Sequence, residues 1–306
     1  MPFGRPSLRP YLAYQQPRAE ADPNGLTAYF LGTSSVLLTD GVTAVLGDGF
    51  VTRPGLARVL GGTIAPDRAI VRAAIDRLGA PEPKAVFCAH SHYDHALDAP
   101  LWSLATGAEL IGSESTANIG RGLDVPESAL RVVADGDTLT YGEFELTFVD
   151  SVHSHGDRFP GTVDAPLRPP ARAGEWKTGS AYSVLIAHPR GRILLHASAN
   201  YRPGMLAGHR ADVVYLGIGG LGKQSPDFLH GYWDEVVLAT GARRVIFVHW
   251  DDFFVGLDRP LRASPNFFDR IDVAIEALLP LAARDDVDVL IPVAWQPAAP
   301  LAGLRN

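Results

Sequence analysis

Six consecutive residues, His90-Ser91-His92-Tyr93-Asp94-His95, follow almost directly on the apolar run Ala85-Val86-Phe87-Cys88. Such a run, rich in β-branched and aromatic side chains, reads as a buried strand over 84–88. The polar cluster behind it makes poor core, because imidazole nitrogens and carboxylate oxygens all need partners once buried. The fold must therefore end a central strand where three imidazoles and a carboxylate can meet solvent or a cation. On an extended exit His90 and His92 point to the same side. Asp94 and His95, a turn further on, face a neighbouring position. One segment thus offers donors to two adjacent metal sites, each completed from elsewhere in the chain.

The spacing His-x-His-x-Asp-His after a hydrophobic strand resembles the signature of the metallo-β-lactamase-fold hydrolases, and His90, His92, Asp94 and His95 supply it in full. The resemblance extends over about residues 26–295. It implies a four-layer αββα sandwich over 26–306, preceded by an irregular arm over 1–25. The Leu31-Gly32-Thr33-Ser34-Ser35 start, the passage to Asp48 and the His249 end look closest to the branch holding sugar-phosphate lactonases and N-acyl phosphatidylethanolamine phospholipases.

The rest of the chain reads compatibly. Pro2, Pro6, Pro10, Pro17 and Pro23 block regular pairing in the arm, where Phe3, Tyr11 and Tyr14 are available for docking. Apolar runs at 27–31, 35–39 and 43–46, the last two divided by Asp40-Gly41, predict three antiparallel strands. Ile70, Val71, Ala74, Ile75 and Leu78 lie at helical spacing ahead of Gly79. Further strands are expected at 109–112, 131–134, 138–140, 144–149, 181–186, 192–196, 211–216, 244–248 and 288–291, and helices at 99–106, from 113, at 228–239 and at 266–279. Strands alternating with helices make an α/β pattern.

The resemblance also implies where the remaining ligands lie. The strand ending at Val149 delivers His153, the expected third imidazole of a first site with His90 and His92; His155 is the reserve. His249, at the tip of the strand over 244–248, is expected to complete a second site with Asp94 and His95. Asp48, in Gly47-Asp48-Gly49, is expected to orient a ligand. Where the family usually places a bridging aspartate after the hairpin, this chain reads His196-Ala197-Ser198-Ala199-Asn200. A hydroxyl is a far poorer ligand than a carboxylate. Three outcomes stay open: one tightly bound metal, two bridged only by solvent, or substitution by His196 or Asn200. Residues 156–179, a long loop rich in proline and glycine, suggest a lid or substrate wall with Trp176 as substrate contact. Gly217–Gly222 does not have P-loop spacing, and Lys223 beside it is a candidate anion contact.

The expected function is metal-dependent hydrolysis of an ester, lactone or phosphodiester, with Asp94 as the catalytic carboxylate and one or two Zn²⁺ per chain; Mn²⁺ or iron also fit. An iron-dependent redox enzyme of the same fold and a metal-binding module without activity are the alternatives. A formal charge of −7 without a basic stripe argues against nucleic acid as partner and leaves a small or lipid-like molecule. The single cysteine, Cys88, fits a reducing compartment and reads as a small buried hydrophobe. With no apolar stretch suited to a signal peptide or membrane span, the expected location is cytoplasmic.

Overall fold

In the computed structural model, which describes residues 4–19 and 25–304, the short apolar runs pair as expected. Strands β1 (Thr27–Phe30), β2 (Val36–Thr39) and β3 (Ala44–Gly47) form an antiparallel meander. Asp40 closes the β2–β3 turn by accepting the Val42 and Thr43 N–H groups. A short helix that the sequence pattern did not announce, α1 (Leu56–Gly61), precedes α2 (Arg68–Leu78). Asp67 caps α2 through the Ala69 and Ile70 N–H groups, and Gly79 ends it at φ 57°. Ile70, expected to face inward, is exposed; Val71, Ala74 and Leu78 carry the buried stripe.

Strand β4 (Pro83–Phe87), then α3 (Tyr93–Ala96), α4 (Ala99–Thr106), β5 (Glu109–Gly112), α5 (Glu114–Gly122) and β6 (Leu130–Val132) complete the first half, with β3 to β6 parallel. Strands β7 (Thr138–Tyr141), β8 (Phe144–Ser151), β9 (Ala181–His188) and β10 (Gly191–His196) are antiparallel. Then β11 (Val213–Gly217), α6 (Pro226–Trp233), β12 (Arg244–Val248), α7 (Ile271–Arg284) and β13 (Asp288–Leu290) extend the second sheet in parallel, and β14 (Pro297–Ala298) returns to β1. The two seven-stranded sheets run β14-β1-β2-β3-β4-β5-β6 and β13-β12-β11-β10-β9-β8-β7.

Side-chain alternation builds the layers. In β4, Ala85 and Phe87 join the core between the sheets, where Phe87 meets Phe148 edge to face at 6.3 Å. Val86 points the other way, onto Val71 of α2 and Trp102 of α4. Ile271, Ile275 and Leu278 of α7 pack with the second sheet. The expected αββα sandwich is what forms, and the sheets set the polar ends of β4, β8 and β12 along one edge.

Two helices depart from their predicted bounds. The predicted helix over 266–279 begins only at Ile271, because the Asp269 carboxylate accepts the Gly220 and Arg270 N–H groups and draws the preceding chain into a turn. It continues through Pro280 to Arg284, and Phe267 is left exposed. The helix predicted over 228–239 starts at a Ser225 cap and widens after Trp233 into a π turn, with the Ala239 N–H reaching Asp234 O. The described part of the arm, residues 4–19, is irregular apart from a 3-10 turn over Arg9–Tyr14, and its Tyr11 hydroxyl donates to Glu276 of α7. Phe3 lies outside the described residues. No helix among the described residues is long and apolar enough to cross a membrane.

A fully buried ion pair ties the halves together: Arg53 Nη2 lies 2.7 Å from Asp251 Oδ2. Asp251 Oδ1 also accepts the Thr33 N–H at 2.8 Å. Gly32 leaves room for the guanidinium, since a Cβ there would fall 1.9 Å from Arg53 Nη2. Removing one partner of such a pair strands a desolvated charge, so Asp251→Ala should lower unfolding stability by about 3–5 kcal/mol. Asp258→Ala, which breaks an exposed pair with Arg259, should change it by less than about 0.5 kcal/mol. Equal guanidinium midpoints for the two variants would refute this assignment.

Candidate metal centre

The end of β4 and the start of α3 bring His90, His92, Asp94 and His95 into one buried turn. Two groups of three donors result: His90, His92 and His153 in the first, Asp94, His95 and His249 in the second, with ligand atoms within 4.8 Å of one another in each. The groups adjoin, since the His90 and His95 ring centroids are 3.8 Å apart. Asp94 Oδ2 sits 3.3 Å from His249 Nε2 and 3.5 Å from His95 Nε2.

Three of the rings, His92, His153 and His95, are each steered through one ring nitrogen. His92 Nε2 is surrounded by Thr178 Oγ1 at 3.0 Å, Asp157 Oδ1 at 3.2 Å and Phe159 O at 3.3 Å, which leaves Nδ1 for a ligand. His153 Nδ1 is taken by Ser154 O at 2.9 Å, leaving Nε2. His95 Nδ1 faces Asp48 Oδ2 at 2.8 Å and Ser34 Oγ at 3.1 Å. Asp48 also accepts the Ser34 hydroxyl and the Ala89 N–H, so it fixes both the ring and the chain leading to it. His90 Nε2 and His95 Nε2 are buried without a hydrogen-bond partner. An unsatisfied buried nitrogen costs about 1–3 kcal/mol, and a cation between the rings relieves it. The donor set therefore fits divalent metal.

Backbone geometry agrees. Asp48 and His249 both hold positive φ, 58° and 59°, a conformation that costs free energy and gathers at functional sites. The His249 N–H donates to Thr33 O at 2.5 Å, and Gly219 leaves room for the ring, a Cβ there meeting His249 Nδ1 at 2.8 Å.

Electrostatics prepare the rings as ligands. Burial first, then the neighbouring imidazoles, hold His90 well below the usual histidine range. Burial and His92 pull His153 down to about 4. Burial would likewise lower His95, but the Asp48 and Asp94 carboxylates outweigh it and raise this ring. Burial would raise Asp94, yet His95 and His249 hold it well below the carboxylate range.

Other expected residues are placed differently. His155 stacks edge to face on Phe228 at 4.8 Å and lies outside both donor groups. His196 is buried between Ser183 Oγ and Asn200 O, where burial drops its pKa to about 4. Asn200 donates to His153 O, supporting a ligand rather than replacing one. Ser198 Oγ stands 3.5 Å from His90 Nδ1, at the edge of the first group. Trp176 is fully buried in the core of the first half and does not line the cavity. Lys223 is tied to Phe268 O instead of facing an anion. Burial pushes the Cys88 thiol up, in keeping with an inert core residue.

Asp157, Thr178 and Ser34 escaped the sequence reading. Asp157 had a weak signal, lying four residues after His153; Thr178 and Ser34 approach the rings only through tertiary contact.

The two groups open on a cavity of about 680 Å³. Residues of 156–175 line it, as expected of the long loop, together with residues of α1 and of 249–269. The loop is stapled as a wall: Ile64 and Ala171 exchange two backbone hydrogen bonds, Val163 N–H donates to Ser115, and Thr178 O accepts the Ser91 N–H. Gly122 lets it pass, since a Cβ there would fall 1.7 Å from Leu167 O.

The sequence matches the model of the metallo-beta-lactamase superfamily over residues 28–271. No curated protein matches it. Among solved structures the chain is similar to Igni18, a metallo hydrolase from the archaeon Ignicoccus hospitalis (TM-score 0.54, 13% identity, 87% of this chain and 94% of that one). It is similar to an isothiocyanate hydrolase from Delia radicum gut bacteria (0.56, 14%, 89% and 98%). It is also similar to CmlA, a diiron beta-hydroxylase from Streptomyces venezuelae (0.57, 15%), of which 55% is covered by 91% of this chain. At such identities these likenesses show the fold.

The opposite shifts of the rings predict the order of metal loss. His95, raised above its ordinary value, takes up a proton earlier as pH falls, whereas His153 resists until about pH 4. Stepwise acid dialysis should release metal from the second group before the first. Residual metal held by a His249→Ala variant to the same low pH as the wild type checks this; simultaneous loss of both in the wild type would contradict it.

Proposed function

Because the chain belongs to the metallo-β-lactamase superfamily, we propose that it hydrolyses an ester, lactone or phosphodiester with zinc as the working metal. The observation that carries this reading is the pair of adjoining donor groups, each holding a buried imidazole nitrogen without a partner, at the floor of a large cavity. Three imidazoles in the first group match the ligand set typical of catalytic zinc.

His90, His92 and His153 would hold one ion, and Asp94, His95 and His249 another. Zinc bound there would lower the pKa of a bound water and act as a Lewis acid toward the scissile carbonyl or phosphoryl group. Asp94 is kept ionised by His95 and His249, so the oxygen not facing those rings can accept a hydrogen bond from the attacking water and orient it. Asp157 and Thr178 hold the His92 ring; Asp48 and Ser34 hold His95. Phe159 and Phe253, edge to face on His92 and His249, keep bulk water from the rings. Lactones and phosphodiesters are favoured among substrates by the likeness of the 31–35, Asp48 and His249 regions to the lactonase and phospholipase branch. A single buried cysteine supports the cytoplasm as location.

With Ser198 beside the first group, no carboxylate from that position bridges the two, and the second ion is held by Asp94, His95 and His249 alone. A second reading draws on that composition: two histidines and one aspartate also suit iron(II), which a visible absorption band in the purified protein would reveal.

Elemental analysis with turnover of bis(p-nitrophenyl) phosphate and p-nitrophenyl acetate tests the proposal. His92→Ala should abolish first-group metal and turnover together, and Asp157→Asn should cost about 10–100-fold in metal affinity or rate. Ser198→Asp should raise occupancy of the second group. Unchanged metal content in His92→Ala would discard the ligand assignment; metal without turnover on any ester would favour a binding module.

A further inference from the structure

The cavity walls carry two features that extend beyond the hydrolytic centre. The first is an aromatic run leading away from the second donor group. Phe253 packs on His249 at 5.6 Å, Phe254 on Phe253 at 4.6 Å and Phe268 on Phe254 at 5.1 Å. All three are half-buried and line the cavity, although large aromatics are ordinarily driven fully into the core. Leu60 of α1 lines the same space and is 63% exposed. Apolar side chains left open in a cavity of about 680 Å³ mark a binding wall, with room for a molecule far larger than an acetate ester.

The second feature sits beside the first donor group. Arg158 lies between Asp157 and Phe159, both of which touch His92. Arg158 and Arg172 are the arginines among the cavity-lining residues, which include no lysine, and neither has a carboxylate within ion-pair distance among the described residues. Of the acids in the lining, Asp94 belongs to the metal centre, and Asp269 is occupied by the Gly220 and Arg270 N–H groups. Arg158, flanked in the chain by two residues that touch His92, is the arginine placed beside the first donor group.

We propose, building on the hydrolase reading above, that the substrate is an anionic amphiphile, its acyl or aryl body lying on Phe253, Phe254 and Phe268 and its carboxylate or phosphate held by Arg158. Arg158 adjoins the first donor group through its neighbours Asp157 and Phe159, the aromatic run adjoins the second through Phe253, and the two groups adjoin each other, so a molecule engaging both features passes over them. Hydrolysis of an ester there breaks the acyl C–O bond; the water oxygen joins the acyl carbon and a proton passes to the leaving oxygen, with no further reactant. A guanidinium suits either anion because its fork matches both.

The test uses zinc-loaded full-length protein and three p-nitrophenyl esters: the acetate, the decanoate, and the half-ester of decanedioic acid, which carries a free carboxylate at the far end. The half-ester should be preferred over the decanoate, and Arg158→Ala should reduce that preference about 10-fold, mainly through KM, with Arg158→Lys restoring part of it. Phe254→Ala should reduce the preference for decanoate over acetate about 10-fold. Calorimetric binding of decanedioate, which is not hydrolysed, should weaken in parallel in Arg158→Ala. If acetate is turned over but neither chain nor charge alters kcat/KM, the amphiphile assignment is overturned and the hydrolase reading stands. If no ester is turned over while decanedioate binds in an Arg158-dependent way, the hydrolase reading fails and the binding site stands. Binding that survives Arg158→Ala unchanged would assign the anion to the metal and overturn the role of Arg158.

Discussion

Five imidazoles and one carboxylate held out of water at the edge of two sheets are the constraint around which this molecule is arranged. Such groups are expensive to bury, and two ring nitrogens remain without a hydrogen-bond partner. The arrangement is sustainable only because the rings stay neutral, as His90 and His153 do, or are balanced by carboxylates, as His95 is. A cation turns this liability into a shared interaction. Metal binding and the local order of three strand tips are therefore linked.

The surrounding shell shows how the constraint is met. Every ring but His90 has a neighbour that fixes it: Asp157 and Thr178 for His92, Ser154 O for His153, Asp48 and Ser34 for His95, and Asp94 for His249. Strained backbone at His249 is held by Thr33 O from the other half of the fold, and that at Asp48 by Phe87 O and the Ala89 N–H beside it. The Arg53–Asp251 pair belongs to the same system. It anchors the Thr33 turn whose carbonyl receives the His249 N–H, so a buried charge pair away from the cavity helps place a ligand within it.

Beyond the donors themselves, the cavity is lined by segments that contribute nothing to the ligand set. The loop over 156–179 could have been a mobile lid from its composition, but contacts to Ile64, Ser91 and Ser115 make it a wall. The chain between His249 and Asp269 contributes aromatic side chains because the Asp269 carboxylate diverts it from helix. What reacts is set by the strand tips, and what can enter is set by these two walls.

Local chemistry determined a good part of this protein directly from its sequence. Alternation in Ala85–Phe87, the Asp40-Gly41 turn and the spacing of His90, His92, Asp94 and His95 depend on neighbours a few residues away, so the strand, the hairpin and the centre of the site could be read from them. His153 and His249 were legible only through family likeness, since nothing near them in the chain requires a metal. The tertiary structure alone decided that Asp157 rather than His155 attends the first group, that Trp176 fills core, that Asn200 supports His153, and that α1 walls the cavity. Each of those outcomes is settled by which distant surface a side chain meets, and burial against a partner far along the chain leaves no periodic trace in the residues around it.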